Sequence, residues 1–384
     1  MKLTVNKEQI IEGLLKAAAI IPAKAGAQYL RSIWLKAEEG SLSVMSTDAN
    51  IEFTGRYPAE VAAPGLIGVQ GRAFVDLVRQ LPTGVLHLTL DEASGNLLLE
   101  QGRRTYKLPV SGAEWFQNFS AFPAENAVTW SGDFLQDILD KVGFCISDDY
   151  AMDAIACLCM KPRGNGRIDV CGLNGHQFAL VSFTHDELAE RLPEAGMLIQ
   201  KKYLADIKKW LGVDEIELNI TDKRLYLRSL DGAETLSLPR AAHEYPDYNI
   251  FMSKLASEDM HPMTLARKEA IEALGRILIF NTESDRCTYM DLSAGEALLS
   301  AQGQDVGSAN ESLDVAYNGD IKRIAFPTRN LLVVLGHFVS AKIDMMLTGS
   351  EGPCGIRGAD DADYTVIIMP MKVSETTYYS EEDV

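Results

Sequence analysis

Two kinds of apolar-periodic segment alternate along the chain and return at a nearly constant distance. The first reads NKEQIIEGLLKAAAI from Asn6, SGDFLQDILDKVGF from Ser131 and ARKEAIEALGRILIF from Ala266. Each sets apolar residues at i, i+3, i+4 and i+7, the spacing of one helix face, and Asn6 and Ser131 stand where an N-cap is expected. The second reads GRAFVDLVRQLP from Gly71, KKYLADIKKWLG from Lys201 and TRNLLVVLGHFV from Thr328, and setting Asp76 against Asp206 and Val334 gives steps of 130 and 128 residues. Such a period is too long for a stacked solenoid unit. It is the size of a domain, and 384 residues accommodate three.

Between the helices lie alternating segments with turn residues at their joints, such as GSLSVMSTDANIEFTGRYP, GRIDVCGLNGHQFALVSF and DEIELNITDKRLYLRSLDG, which predict antiparallel strands and hairpins. Each copy is therefore an α+β domain with two helices on one face of its sheets. SAFPAENAV near residue 125 and SKLASEDMHPM near residue 258 read as linkers, which bounds the domains at 1–125, 126–256 and 257–373. Residues 374–384 form a tail with Glu375, Glu381, Glu382 and Asp383, whose composition predicts disorder. Just before it stands YTVIIMPMKV, Tyr364 to Val373. As a strand it sets Val366, Ile368 and Pro370 on one side and Ile367, Met369 and Met371 on the other. One face can serve a core; the other needs a partner.

The formal charge of −18 argues at first sight against nucleic acid, since phosphate contact requires Lys and Arg on the contacting surface. Residues 7–20, 71–82, 131–144, 200–212, 267–280 and 328–338, the six predicted helices, nevertheless carry +4 together, so the remainder carries −22. Lys201, Lys202, Lys208 and Lys209 crowd one short helix, and Arg72 and Arg79 hold the equivalent place in the first copy. Aromatic residues are sparse beside them, which disfavours base stacking. The six cysteines, Cys145, Cys157, Cys159, Cys171, Cys287 and Cys354, show no C-x-x-C pair and read as reduced, buried thiols. Neither they nor the histidines have metal-ligand spacing, and no cofactor motif is present. No apolar window is long enough for a membrane helix and no signal peptide opens the chain, so a cytoplasmic protein without a membrane partner is expected.

STDANIEF from Ser46, GLNGHQFAL from Gly172, EYPDYN from Glu244, LDVAYNG from Leu313 and the terminal YTVIIMPMKV, in this order and at these separations, resemble the bacterial sliding clamps, the beta subunits of DNA polymerase III, over residues 1 to 373. The resemblance implies the DNA clamp fold, with two protomers closing head to tail into a homodimeric ring around double-stranded DNA, bound without sequence specificity. Lys24, Arg72, Arg79, Lys201, Lys202, Lys208 and Lys209 would face the DNA. Arg103, Arg104, Tyr106 and Leu108 would meet the partner protomer at positions matching Ile279, Phe280, Leu298 and Leu299. An apolar peptide-binding groove would comprise Ile155, Leu173, Gly175, His176, Phe178, Pro246, Phe251, Ile367, Met369, Pro370 and Met371. It would take short motifs from the DNA polymerase III catalytic subunit, the clamp loader, and other DNA polymerases and repair proteins. Methionine suits such a site because its flexible thioether adapts to several ligands. Asn174, Gln177 and Met152 depart from the residues the family commonly carries there, as does the continuation beyond Lys372 and Val373.

Two rival readings remain. Cys171 and His176 are close enough in sequence to suggest a nucleophile and its base, although no signature of a cysteine enzyme or phosphate loop accompanies them. A peptide-binding scaffold of the same fold that never encircles DNA is the other.

Overall fold

The computed structural model describes residues 1–372 apart from 23–26, 150, 213, 257–259 and 304–305. Its helices are α1 (Lys7–Ile20), α2 (Gly71–Gln80), α3 (Gly132–Gly143), α4 (Asp186–Arg191), α5 (Leu204–Trp210), α6 (Asn249–Lys254), α7 (Arg267–Ile277) and α8 (Thr328–Gly336). All six repeat helices form where periodicity places them. Two shorten: a 3-10 turn, Lys201–Tyr203, leads into α5, and another, Leu278–Phe280, follows α7. Ser131 Oγ accepts from the Phe134 amide at 3.3 Å, as a cap does. Asn6 holds the cap position of α1 but makes no side-chain capping bond; Glu8 instead accepts from the Gly84 amide at 2.9 Å.

The chain divides into two compact units, one of Met1–Leu139, Glu190–Pro193 and Ile199–Ala242, the other of Asp140–Ala189, Glu194–Leu198 and the residues from His243 on. Each is built on one antiparallel sheet. In the first unit, Val128–Ser131, Glu215–Ile220, Arg224–Ser229 and Glu234–Pro239 join the strands of residues 2–111 through the pairing of Glu234–Pro239 with Glu52–Pro58. α1 packs on Ser41–Thr47 and Glu52–Pro58, with α2 and α5 against it, and buries Ile10, Leu14 and Ala17, the stripe its periodicity predicts.

In the second unit, Cys157–Gly164, Arg167–Leu173 and Gln177–Thr184 join the strands after residue 260 through Tyr364–Ile368, which pairs with Gln177–Thr184 on one side and Cys354–Gly358 on the other. α7 and α8 pack together and bury Ala270, Ala273, Leu274 and Ile277 against Leu331, Val334 and Leu335. The compact units follow the sheets and cut across the repeat: the middle copy gives strands 157–184 to one sheet and 215–239 to the other. All six cysteines are buried and unbridged. Among the described residues no helix is long and apolar enough to cross a membrane, and none of the side-chain groupings could hold a metal ion.

Candidate functional site

The terminal strand is shorter than its sequence suggests. The ladder ends at Ile368, because Pro370 has no N–H to continue it. Val366, Ile367 and Ile368 are all buried, so the chain covers both faces of this strand itself. The backbone stays anchored past the break: the Met369 amide donates to the His176 carbonyl and the Met371 amide to the Ala325 carbonyl, at 2.9 and 2.8 Å. What remains open is Met-Pro-Met. Met369 and Pro370 are half-buried and Met371 is 46% exposed.

Beside it, register aligns three candidate residues in one row. Leu173 lies opposite Phe178, and Phe178 opposite Ile367, so all three project from the same face of the sheet. Gly355 continues the row. The segment carrying α6 crosses over this face. Tyr248 stacks on Phe178 with ring centroids 5.4 Å apart, Phe251 stands 6.4 Å from the same ring, and Leu255 fills the space over Gly355, where a Cβ would fall 2.6 Å from its Cδ1. Ile155 and Leu173 are brought together by their carbonyls, which share the Ser147 amide at 3.1 and 3.2 Å. Pro246 is exposed on the same crossing segment. The result is an apolar floor, buried at Leu173, Phe178 and Ile367, with Ile155, Phe251, Met369 and Pro370 half-buried and His176, Pro246 and Met371 exposed around it.

His176 is placed by a tight turn. Asn174 Oδ1 accepts from the amides of His176 and Gln177 at 3.0 and 2.8 Å, and Gly175 sits at φ +86°, a conformation that favours glycine. An aspartate would make the same two bonds, so the departure at Asn174 leaves the turn intact. Gln177 is buried and, one residue before Phe178, projects from the opposite face of the sheet. Met152 is 56% exposed. Cys171 is fully buried and burial pushes its thiol well above the usual range, which removes the thiolate a nucleophile needs. The cysteine-enzyme reading fails there.

Tyr248 belongs to this site and sequence reasoning passed over it. Its hydroxyl donates to Asp169 Oδ2 at 3.0 Å. The signal was available in RIDVCGL, where one carboxylate stands in an otherwise apolar strand and must have partners if buried.

The basic candidates lie on helices of the other unit. Arg72, Arg79, Lys202 and Lys209 are exposed and Lys201 and Lys208 half-buried; Lys24 lies outside the described residues. The positive face is diluted: Arg79 pairs with Asp76 at 3.4 Å. Lys202 Nζ sits 4.7 Å over the Tyr203 ring. Burial pushes the Asp206 carboxyl up against the pull of Lys209.

Two sheet edges complete the inventory. Arg104–Ser111 pairs with Asn96–Gln101 from Arg104 to Pro109 and meets Gly65–Gln70 only at Val110 and Ser111. Among the described residues, 104–109 therefore have an unpaired outer side. Tyr106 and Leu108 are half-buried there and Arg103 and Arg104 exposed. In the other unit, Gly307–Tyr317 pairs with Glu296–Gly303 and turns to His261–Ala266 only from Val315 on, which leaves a second open side at 307–314 among the described residues. The 3-10 turn with Ile279, 69% exposed, and half-buried Phe280 packs beside it. Leu298 is 38% exposed, but Leu299 is fully buried. Adjacent residues of a strand face opposite sides, so Leu299 is core and cannot meet a partner protomer.

Residues 1–120 match the family model described as DNA polymerase III beta subunit, N-terminal domain, and residues 255–372 the one described as its C-terminal domain. Curated relatives named beta sliding clamp include those of Caulobacter vibrioides, 23% identical, and Pseudomonas aeruginosa, 24% identical, each over 97% of this chain and all of the relative. Among solved structures, Caulobacter crescentus pol III beta superposes with a TM-score of 0.89 at 22% identity, and a Bartonella birtlesii sliding clamp bound to griselimycin with 0.88 at 20%. Both cover 97% of this chain and all of the solved chain.

Proposed function

The chain belongs to the DNA polymerase III beta subunit family, and from that membership we propose that it works as a DNA sliding clamp, a ring that encircles duplex DNA and tethers the replicative polymerase. It is a processivity factor and not an enzyme. One observation carries the DNA-facing role: in a chain of net charge −18, exposed Arg72, Arg79, Lys202 and Lys209 gather on α2 and on the segment that leads through α5. Attraction to phosphate without contacts to base edges holds a protein to DNA in no fixed register, so it can slide. An acidic remainder repels other DNA.

The ring consists of two protomers head to tail, each with domains 1–125, 126–256 and 257–373, and the open edge at 104–109 of one pairs with the open edge at 307–314 of the other. Such a contact is heterologous, with a rotation that closes. Met369, Pro370 and Met371, with His176, Pro246 and Phe251, form the groove for short motifs of the polymerase catalytic subunit, the clamp loader, and other polymerases and repair proteins in the cytoplasm. Anchors worth roughly 1.5 to 3 kcal/mol each by burial, less the cost of association, give affinities of order micromolar, weak enough for partners to exchange.

The test is retention on DNA of different topology. Once loaded, the protein should stay on closed circular DNA through a high-salt wash and be lost when the circle is cut. Loss from closed circles as fast as from linear DNA would replace the clamp by a scaffold that binds peptides without encircling DNA.

A further inference from the structure

The crossing segment that covers the Leu173–Phe178–Ile367 row is fastened by a polar cluster beneath it. Asp169 is 4% exposed. Its Oδ1 accepts from Ser182 Oγ at 2.6 Å, and its Oδ2 accepts from Tyr248 Oη at 3.0 Å and faces Arg163 Nε at 3.1 Å. Arg167 Nε lies 4.0 Å away. Asp169 and Ser182 are opposite one another across the same two strands that set Leu173 opposite Phe178, so the carboxylate and the apolar row share one face of the sheet. Arg163 ties the segment a second time: its guanidinium lies 5.4 Å over the Tyr248 ring and its Nη2 donates to Asn249 Oδ1. Burial, and then the Asp169 charge, hold the Tyr248 hydroxyl well above its usual range, so it remains a donor.

The ring that carries this hydroxyl is the one stacked on Phe178, and Phe251 follows three residues later, on α6. We propose that Asp169, through Tyr248 and Arg163, is a positioning residue for the groove: it fixes the seat of the crossing segment on the row and thereby the distance between Phe251 and Met369–Met371. Leu255 over Gly355 is the apolar anchor at the other end of the segment. A ligand with aliphatic and aromatic anchors then meets a wall already in place, and pays no ordering of residues 246–251 on binding. Without the Asp169 anchor the segment remains attached through Leu255, but its near end is free to shift.

The inference rests on the groove reading, and the experiment separates the two. Griselimycin, which the Bartonella birtlesii clamp binds, is titrated against five variants with melting temperature measured in parallel. Met371→Ala reports on the groove itself and should weaken binding several-fold. Tyr248→Phe keeps the ring stack and removes only the hydroxyl; it should weaken binding about tenfold. Asp169→Asn removes the charge that faces Arg163 and one of the two acceptor oxygens that Ser182 and Tyr248 use, and its loss should be similar. The double variant should bind no more weakly than the worse single one, because both changes cut one link. Leu299→Ala, a cavity in the strand Glu296–Gly303, should lower the melting temperature without touching affinity. Positioning is wrong if Tyr248→Phe and Asp169→Asn bind within twofold of the wild type while Met371→Ala is weakened. It is also wrong if their losses multiply in the double variant, or if Leu299→Ala loses as much affinity for the same drop in melting temperature. Unchanged binding by Met371→Ala, or no binding by the wild type, sinks the groove reading and this inference with it.

Discussion

Tyr57 shows how one side chain constrains residues far from it in sequence. Its ring runs between Gly13 on α1 and Gly55 on its own strand, and a Cβ added at either glycine would fall 1.7 or 2.2 Å from the Tyr57 hydroxyl oxygen. That hydroxyl donates to Glu234 Oε1 at 2.9 Å, while Glu234 Oε2 takes Lys16 Nζ at 2.6 Å. Burial, then the Glu234 carboxylate, raise the Tyr57 hydroxyl far above its usual range. Two effects of Gly13→Ala oppose each other. Alanine in a helix interior is favoured over glycine by about 1 kcal/mol, whereas forcing extra volume into a packed site costs about 1–3 kcal/mol. The ring is blocked on the far side by Gly55 and tied at its tip, so the clash should win and the variant should melt at lower temperature. The loss should shrink in a Tyr57→Leu background. A Gly13→Ala protein that melts higher than the wild type would mean that Tyr57 moves aside freely.

At the scale of elements, the open edges at 104–109 and 307–314 present unpaired backbone groups, which proteins seldom leave uncovered. Edge 104–109 carries Lys107 beside Arg103 and Arg104, and edge 307–314 carries Asp314 and Glu311, the latter held by Arg276 of the same chain. Leu108→Asp should therefore give a monomer by sedimentation at micromolar concentration, since an unpaired carboxylate buried in an interface costs roughly 3–5 kcal/mol. A Leu108→Asp dimer as stable as the wild type would place the seam elsewhere. The helices were legible in the sequence because their periodicity is local. Strand partners were not: Leu236 lies opposite Phe53 and Phe178 opposite Ile367, pairings that no local pattern encodes. The same limit explains the terminal strand. Period two showed that Ile367 and Val366 need cover on opposite faces, but not that the chain supplies it on both. It explains Leu299 too, which alternation alone assigns to a side only once Leu298 is known to face out. Asp169 could have been found as a lone charge in a buried strand; that Tyr248 is its partner could not.

For the whole molecule, charge and topology make separate contributions that one substitution set can divide. Lys201, Lys202, Lys208 and Lys209 supply all the positive charge of residues 200–212, +4 that Asp206 reduces to +3, against a chain at −18. Phosphate contacts release counterions, so each one lost lowers the slope of log affinity against log salt by about 0.9. Replacing all four lysines with Glu should thus weaken low-salt affinity for duplex DNA and flatten its salt dependence by up to about 3.6 for each protomer of the ring. The dimer seam proposed above lies on strand edges of different segments, so sedimentation should still show a dimer. Retention behaves differently. A closed ring on a closed circle is held by linkage and not by attraction, so variant rings that do load should survive a high-salt wash as well as wild-type rings. Loading itself should fall, because it begins from the attracted state. Two measurements therefore suffice: filter binding across a salt series, and recovery from circular DNA per ring loaded. Unchanged low-salt affinity would put these lysines on a surface that never meets DNA. Loaded variant rings that wash off circles would mean that attraction, and not closure, keeps the protein on its track.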